Sequence, residues 1–451
     1  METSIVWFRR DLRLTDLPTL LSAADMSARA VALFVLDDRL LRSAGAVRRT
    51  FLYRCLRELD AALKGSLVVV EGDPADLVPK VASAVGANSV HVSADYGPYG
   101  ARRDAAVRKG LGDVDLVETG SPYAVAPGRV RKDDGTPYKV FTPFRRAWYD
   151  HGWRAPAKTD GSSLKWLAPD DLDGRIQVPD DEDLGSTELP AAGEAAALEQ
   201  WQSFLANDLT RYDGERNRAD LDSTSRMSVY LKYGCVHPRT LLADVRGEDA
   251  SSATLRSELA WRDFYADVLH HNPRSARHNL DKKFDRIDYN TGAAADKAFE
   301  AWRAGRTGFP IVDAGMRQLR AQGWMHNRVR MITASFLTKD LHLPWWRGAQ
   351  HFMDLLVDGD LASNQHGWQW TAGTGTDAAP YFRVFNPTTQ GEKFDPDGEY
   401  VRRWVPELRD VEGKAVHTLK TGRPNGYPEP IVDHKEERLE ALARYEQIKA
   451  R

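Results

Sequence analysis

The sequence predicts an α/β domain followed by an all-helical domain. In the first 120 residues, short apolar runs rich in β-branched residues alternate with helix-like stretches, as expected for βαβ units with a parallel sheet covered on both faces. Residues 153–195 are rich in Pro, Asp, Gly and Ser, and beyond residue 195 the apolar spacing becomes helical. We therefore expect a Rossmann-like domain at 1–128, an interdomain linker at 129–198 and a helical domain at 199–451.

Five apolar runs are the candidate strands of the sheet, and they lie at 4–8, 30–36, 66–70, 89–93 and 114–117. The longest helical pattern between them spans 47–63. Neither G-x-G-x-x-G nor G-x-x-x-x-G-K follows any of these runs, which argues against a dinucleotide dehydrogenase and a P-loop enzyme.

Composition restricts the function classes further. The formal net charge is −3, so a surface that binds a polyanion must be local. Cys55 and Cys235 are the only cysteines, which excludes a disulfide framework and a cysteine-rich metal site. The N-terminus is too charged for a secretory signal, and no apolar run approaches membrane-spanning length. These observations predict a cytoplasmic protein that does not enter the membrane.

The segment DGDLASNQHGWQW (358–370) combines acidic, amide and indole side chains. Asp358 and Asp360 are suitable oxygen ligands for a divalent metal ion. However, the next carboxylate is Asp377, and the spacing of a calcium loop is absent. A planar organic cofactor with polar edges is the alternative reading of this segment.

The segment SELAWRDFY (257–265) places Glu258, Trp261 and Arg262 on one helix face. An ion pair beside a core tryptophan explains such a face as well as a functional site does. The spacing alone therefore leaves both readings open.

The segment WMHNRVRM (324–331) places Trp324, Asn327 and Met331 together on another face, with Arg328 close by. A core face with one hydrogen-bonded amide would look the same. This segment also leaves its role open.

The segment TSRMS (224–228) offers three hydroxyls and several backbone N–H groups, which suit phosphate oxygens. A helix N-cap is the simpler explanation of the same residues. Tyr212 and Arg216 lie shortly upstream and add a ring and a cation.

Together with WFRRDLRL, YKVFTPF and TAGTGTDAAPYFRVFNPTTQGEKFDP, these segments resemble the photolyase/cryptochrome family. More narrowly, they resemble the bacterial class I cyclobutane pyrimidine dimer photolyases, from residue 4 to about 410. The resemblance implies a helical domain that binds a folded FAD, and a lyase that repairs cyclobutane pyrimidine dimers. Light-excited, reduced FAD would pass an electron to the flipped-out lesion. The expected partner is damaged DNA, duplex or single-stranded, and the expected state is a monomer without a metal.

The resemblance also implies site residues, position by position. FAD contacts would come from Tyr212, Thr224, Ser225, Arg226, Met227, Ser228, Trp324, Arg330, Asp358, Gly359, Asp360 and Asn364. The lesion pocket would consist of Glu258, Trp261, Asn327, Met331 and Trp370, and DNA phosphates would meet Arg216, Arg262, Arg328 and Arg383. On this reading, the acidic cluster at 358–370 holds a flavin rather than a metal.

A tryptophan chain that reduces the flavin under light is another implied feature. Trp368 and Trp345 match its inner and middle members, but the outer position departs from the family pattern. Tyr289 or Trp302 would be the exit, with Trp346 as an additional neighbour.

The α/β domain of this family usually binds an antenna chromophore. The residues that match are Arg10, Arg48, Asp95, Tyr99, Arg103 and Asp104. They favour 8-hydroxy-5-deazaflavin, with methenyltetrahydrofolate as the alternative and an empty site or a second flavin also open.

Two rival functions within the family are a cryptochrome-type light sensor and a (6-4) photolyase. Glu258, Trp261 and an asparagine at 364 argue against the sensor, as does the short segment after the matched region. A (6-4) photolyase would carry histidines where Asn327 and Met331 stand.

Overall fold

The computed structural model describes residues 2–169, 172–377, 383–420, 422–424 and 426–449. It consists of two compact units, each discontinuous in sequence. The first unit comprises Met1–Asp183, Pro190–Thr210 and Ser225–Pro273, and the second comprises Leu184–Leu189, Arg211–Thr224 and Arg274–Arg451. The division at residues 128 and 198 follows the sequence pattern and stays a prediction. Part of one quoted motif, residues 378–382, lies outside the described residues.

A mainly parallel sheet forms the centre of the first unit. Its strands are β1 (Thr3–Phe8), β2 (Arg29–Asp37), β3 (Leu67–Gly72), β4 (Ser89–Val92), β5 (Asp115–Glu118), β6 (Lys165–Leu167) and β7 (Arg175–Ile176). The order is β5-β4-β1-β2-β3-β7, with β6 parallel to the start of β2 and β7 antiparallel to β3. The first five strands coincide with the predicted ones to within two residues at either end.

Helices account for most of the remaining regular structure. Up to residue 273 they are α1 (Pro18–Met26), α2 (Asp38–Ser43), α3 (Ala46–Ala62), α4 (Pro74–Ala84), α5 (Pro98–Gly110), α6 (Phe141–His151), α7 (Gly193–Asn207), α8 (Tyr212–Glu215), α9 (Met227–Tyr233), α10 (Pro238–Asp244) and α11 (Ala250–His271). After it come α12 (Gly292–Ala304), α13 (Pro310–Gln322), α14 (Asn327–Ser335), α15 (Trp345–Leu355), α16 (Leu361–Ala372), α17 (Pro387–Phe394), α18 (Glu399–Trp404), α19 (Ala415–Thr418) and α20 (His434–Lys449).

Burial on both faces explains why the strands read as continuous apolar runs. Every residue of β1 is buried, and so are eight of the nine in β2. This is the pattern of a parallel sheet covered by helices. Val31, Leu33, Val68 and Val90 belong to a single core cluster of the first unit. The core therefore holds the carboxyl ends of the strands, and the loops that follow them, in fixed positions.

The predicted linker contributes more structure than its composition suggests. β6 and β7 return to the sheet from within it, and α6 lies in its first half. The two strands have only three and two residues, too few for a visible alternation of apolar and polar positions. The remaining residues of 153–192 that the structure describes form turns and irregular chain, as predicted.

The second unit is helical and has a large apolar core. Among the described residues, no strand follows Ile176, which confirms the all-helical C-terminal half. Trp302, Trp345, Trp368 and Phe352 are members of this core. A π-helical turn, Phe336–Asp340, continues α14 towards the start of α15. The predicted fold class, an α/β domain plus an all-helical domain, is confirmed.

Candidate active site

Asp358 lies in the turn between α15 and α16 and is held by Arg330 of α14. The two guanidinium Nη atoms donate to the two carboxylate oxygens at 3.1 and 2.9 Å, and the Asp358 side chain is 2% exposed. Arg330 Nε–H also donates to the carbonyl of Met325 at 2.7 Å. A bidentate pair of this kind fixes both orientation and charge, so the turn is anchored to α14.

Two further polar side chains of this segment also have protein partners. Asp360 is the N-cap of α16 and accepts the backbone N–H of Ser363 at 3.0 Å. Asn364, half-buried one turn later, donates from Nδ2 to the carbonyl of Ala349 at 3.1 Å. Its Nδ2 also lies 2.8 Å from Oε1 of Gln365. The side chains of Asp358, Asp360 and Asn364 are thus held in fixed positions, and we call these three residues the polar shelf.

A metal centre has no support in this geometry. Within the described ranges, no three His, Cys, Asp or Glu side chains group together as ligands. The carboxylate of Asp358 is bound to a guanidinium, and that of Asp360 caps a helix. Of the two readings of the acidic cluster, these contacts favour a polar-edged organic cofactor.

The TSRMS segment contains an unusual backbone conformation. Arg226 has φ 53° and ψ 16°, in the left-handed region, immediately before α9 begins at Met227. Non-glycine residues adopt this conformation at a cost of order 1 kcal/mol, and such residues are concentrated at ligand sites. Met227 is buried, whereas Ser228 is exposed. Thr224 closes a segment of the second unit and Ser225 opens one of the first.

Two predicted phosphate-binding cations lie beside aromatic rings in the second unit. The guanidinium of Arg216 is 5.8 Å from the ring centre of the buried Tyr212. Arg328 donates from Nη2 to Oδ1 of Asn217 at 2.7 Å and lies 4.6 Å from the ring centre of Phe394. Such contacts fix the direction of a long cationic side chain.

Arg383 and Arg262 differ sharply in exposure. Arg383 is exposed. Arg262 is only 13% exposed in its side chain, and it donates to the carbonyls of Pro122 at 2.8 Å and Leu231 at 3.2 Å. The ring of Tyr123 covers it at 4.7 Å. The geometry therefore argues against the predicted phosphate contact of Arg262, because its donors already bind backbone within the first unit.

Helix α11 carries Glu258 and Trp261. The ring of Trp261 stacks on Phe141 of α6, with centres 3.7 Å apart and planes within 12°. Trp261 and Glu258 are both half-buried. The stack immobilises the indole and leaves Glu258 one turn before it on the same helix.

The remaining predicted lesion contacts belong to the second unit. Asn327 is the first residue of α14 and is exposed, and Met331 lies one turn later and is half-buried. Trp370 is half-buried in α16, which packs against α14. These three side chains are thus carried by two helices in mutual contact.

The inner tryptophans converge on helix α15. Trp345 is its first residue, is fully buried, and donates from Nε1–H to Oδ1 of Asn279 at 2.9 Å. The ring of Trp368 packs against Gly348 so closely that a Cβ there would lie 2.2 Å from Cη2 of the indole. Glycine at 348 is what admits the Trp368 ring to the surface of α15.

The two predicted exit residues lie in different surroundings. Trp302 is 0% exposed, donates to the carbonyl of Thr333 at 3.1 Å and has its ring centre 6.1 Å from that of Trp368. Tyr289 is half-buried, and its ring centre is 5.3 Å from that of Trp346.

Four of the predicted antenna residues form one charged cluster in the first unit. Arg103 donates to Asp104 at 2.9 Å and to Asp95 at 3.2 Å. Tyr99 donates its hydroxyl to Asp37 at 2.5 Å, and its ring centre lies 5.8 Å from the Arg103 guanidinium. The cluster lies after β4 and on α5, at the carboxyl edge of the sheet where α/β folds bind ligands.

The other two antenna candidates have additional contacts outside this cluster. The Arg10 guanidinium is 5.9 Å from the ring centre of Tyr123, with Nη1 3.5 Å from the phenol oxygen. The buried Arg48 donates to the carbonyl of Ser43 at 2.9 Å. Although burial alone would raise the pKa of Asp95, the charges of Arg103, Arg9 and Arg10 lower it, so Arg10 acts on the same cluster.

Sequence reasoning did not single out Phe141, Gly348 and Asn279. Phe141 stacks on Trp261, Gly348 admits Trp368, and Asn279 orients Trp345. The partners are separated by 20 to about 120 positions, so periodicity could not pair them. The one sequence signal was for Phe141, which lies within the YKVFTPF motif.

Comparisons with known proteins agree with this architecture. The family model for DNA photolyase matches residues 4–160, and that for the FAD binding domain of DNA photolyase matches 254–447. A deoxyribodipyrimidine photo-lyase of Halobacterium salinarum is 39% identical over 99% of this chain and 99% of its own. A class III photolyase from Agrobacterium tumefaciens is 35% identical and superposes with a TM-score of 0.92, covering 100% of this chain and 98% of that one. An archaeal photolyase from Sulfolobus tokodaii, solved with two FAD molecules, is 29% identical with a TM-score of 0.84, covering 99% and 100%.

The sheet unit, the helical unit and the anchored polar shelf together define an FAD-binding flavoprotein of the photolyase type. The chain belongs to the DNA photolyase family. Its assignment to class I within that family stays a prediction. In the part of the chain that the structure describes, no helix is both long and apolar enough to cross a bilayer.

Proposed function

We propose that this protein repairs cyclobutane pyrimidine dimers in DNA under blue light. The observation that carries the proposal is full-length identity of about 40% to relatives named deoxyribodipyrimidine photo-lyase. The enzyme is a carbon–carbon lyase, because the reaction breaks the two bonds that join the pyrimidines. The cofactor does the difficult chemistry, and the protein binds, orients and excludes water.

The residues proposed for FAD offer a donor set that fits this cofactor. The Arg330–Asp358 pair supplies an oriented charge next to the flavin edge, and Asn364 supplies an amide fixed by α15. Tyr212, Thr224, Ser225 and Ser228 are the proposed partners of the phosphate and ribityl groups, with Arg226 shaping the turn. Met227, Trp324, Gly359 and Asp360 complete the proposed contacts. When bound, FAD supplies the light-excited electron donor of the repair reaction.

Glu258 and Trp261 are the proposed catalytic and binding residues for the lesion. A protonated carboxyl that donates a hydrogen bond to a pyrimidine carbonyl stabilises the negative charge that develops there when the electron arrives. The Trp261 ring, fixed by Phe141, offers a stacking wall worth ~1–3 kcal/mol per base. A lesion must leave the duplex to reach these residues, and its distorted pairing lowers that cost. The proposed lesion pocket also includes Asn327, Met331 and Trp370, as the family resemblance implies.

Arg216, Arg328 and Arg383 are the proposed phosphate contacts. The near-neutral net charge means that binding depends on such local cations. Phosphate contacts position the strand but carry no sequence information, which suits an enzyme that must find a lesion in any sequence. The enzyme is proposed to act as a monomer on duplex or single-stranded DNA.

We further propose 8-hydroxy-5-deazaflavin as the antenna, with methenyltetrahydrofolate as the alternative. The cluster of Asp95, Tyr99, Arg103 and Asp104 supports a ligand at that edge of the sheet. The relative with two FAD molecules keeps a second flavin among the outcomes. Extraction of the chromophore from protein made in a deazaflavin-producing host, followed by its absorption spectrum, identifies it directly.

The test of function is repair of an oligonucleotide with one thymine cyclobutane dimer by FAD-loaded, chemically reduced enzyme. We expect restoration in blue light only, and no action on a (6-4) lesion. Glu258→Gln should lower the repair yield at least tenfold while the dimer still binds. Glu248→Gln, which removes an exposed carboxylate next to the same helix, is the matched control and should repair normally. Failure of the reduced, loaded wild type to repair the dimer would shift the assignment to a light sensor.

A further inference from the structure

We propose that Trp346 is the surface member of the electron-transfer chain and the residue from which external reductants supply electrons. The inference rests on the proposed function, since it concerns how bound, oxidised FAD is reduced under light. The chain then runs from Trp368 through Trp345 to Trp346. Each of these residues lies in the second unit.

The inner part of the chain follows one helix. Trp368 packs on Gly348 of α15, and Trp345 begins the same helix one turn earlier. One helical turn is about 5.4 Å, so the two indoles approach α15 at neighbouring levels. Both indoles are buried, so water does not reach the radical cation that forms when either ring loses an electron.

The outer part of the chain is defined by the next residue. The ring centres of Trp345 and Trp346 are 5.9 Å apart, with planes at 80°, an edge-to-face contact. Trp346 is 40% exposed. Among the described residues, no other tryptophan belongs to the exposed large apolar side chains. It therefore meets both requirements of an exit, contact with Trp345 and access to a dissolved reductant.

Neither alternative meets both requirements. Trp302 touches Trp368 but is fully buried, so a dissolved reductant cannot contact its ring. The ring of Tyr289 contacts Trp346, and Tyr289 reaches Trp345 only through Asn279, which accepts the Trp345 N–H. Burial raises the pKa of the Tyr289 phenol, so it stays protonated and can give up an electron only together with a proton. Tyr289 is thus a neighbour of the exit rather than the exit.

Hydrogen bonding explains why the radical moves outward. Trp345 donates its N–H to the amide oxygen of Asn279, which is not a base and cannot take the proton. The radical cation of Trp345 therefore keeps its proton, and one electron from Trp346 reduces it. Oxidised Trp346 can release its indole proton to water because it is exposed. A soluble thiol then returns one electron and one proton to the Trp346 radical, which restores the indole and leaves a thiyl radical in solution.

The experiment compares Trp346→Phe with Tyr289→Phe and Trp302→Phe in full-length, FAD-loaded protein. Flash photolysis followed by optical and electron paramagnetic resonance spectroscopy measures the lifetime of the tryptophanyl radical. Steady illumination with a thiol measures the photoreduction rate. For Trp346→Phe we expect both the radical lifetime and the photoreduction rate to fall at least tenfold. The reason is that the Trp345 radical then recombines with the electron on the flavin. For Tyr289→Phe we expect less than a twofold change.

Other outcomes overturn the assignment. A wild-type radical lifetime in Trp346→Phe does so, as does a loss confined to Tyr289→Phe or Trp302→Phe. Trp346→Tyr, which restores a redox-active ring, should recover part of the lifetime, whereas a merely structural role would not separate Phe from Tyr. Dimer repair by chemically reduced wild type reports separately on the proposed function, while the radical lifetimes still decide the role of Trp346.

Discussion

His351 is a buried imidazole in an aromatic environment. It lies on α15 with ring centres 5.6 Å from Trp302 and 6.4 Å from Phe299. Burial lowers its pKa to about 4, and the charges of Arg303 and Arg320 act in the same direction. The folded protein therefore holds this side chain neutral at pH values where the unfolded chain, with a pKa near 6.5, binds a proton.

This histidine gives a pH-dependent contribution to stability. Because its folded pKa is depressed, the contribution is present above pH 6.5 and is lost as pH falls towards 4. Between pH 7 and pH 5, wild type should lose about 2 kcal/mol of unfolding free energy relative to His351→Gln. Urea unfolding of both proteins at the two pH values measures the difference. Parallel pH dependences would contradict the assignment.

Single residues also show what sequence reasoning can and cannot single out. Asp358 and Asn364 stand out as polar side chains beside indoles, and Glu258 stands out by its spacing to Trp261. Their partners do not, because the contact of Trp345 with Asn279 joins distant parts of the chain. Arg262 lies on the same face, but it donates to backbone carbonyls inside the protein. Sequence spacing defines a face of a helix but not what covers it.

The buried carboxylate of Asp263 connects helices α6 and α11, and we call this connection the α6–α11 joint. Asp263 of α11 accepts the backbone N–H of Val125 at 2.9 Å and the indole N–H of Trp148 at 3.0 Å. Burial raises the pKa of Asp263 to about 6 despite the nearby Arg262 and these donors. The joint holds the Phe141–Trp261 stack in place.

Removing one donor tests this joint. Trp148→Phe leaves Asp263 without its indole partner in a buried position, and we expect a loss of ~1–3 kcal/mol in unfolding free energy. Trp153→Phe is the control, because Trp153 lies against Trp148 but has no hydrogen bond to Asp263 among the described contacts. Chemical denaturation monitored by circular dichroism provides the comparison. Equal stabilities of the two variants would mean that the indole hydrogen bond contributes nothing.

At the level of elements, long apolar runs were predictable and short pairings were not. The positions of β1 to β5 are predicted by apolar runs rich in β-branched residues. In contrast, β6 and β7 form only through backbone hydrogen bonds to strands already present. A segment of two or three residues carries too little periodicity to predict. The apolar spacing of the sequence does not distinguish the π-helical turn at Phe336–Asp340 from the α-helix before it either.

At the scale of the whole molecule, the first unit is not a contiguous N-terminal domain. It requires residues up to Pro273, including α11, which covers the apolar side of α6. A fragment of residues 1–198 therefore lacks the partner of Phe141 and Phe144. We expect it to unfold without a cooperative transition, whereas a fragment of residues 1–273 unfolds cooperatively. Thermal melts and limited proteolysis distinguish the two, and a sharp transition in the shorter fragment would contradict this view.

The discontinuity of the first unit has a consequence during synthesis. Ribosomes add ~5–20 residues per second, so roughly 5–20 s separate the completion of Asp183 from that of Pro273. Throughout that interval, the sheet can assemble while the rings of α6 still face water. An aggregation-prone nascent chain is therefore expected at this stage. Slow translation of codons 199–273 should lower the yield of folded enzyme even though the finished protein is unchanged.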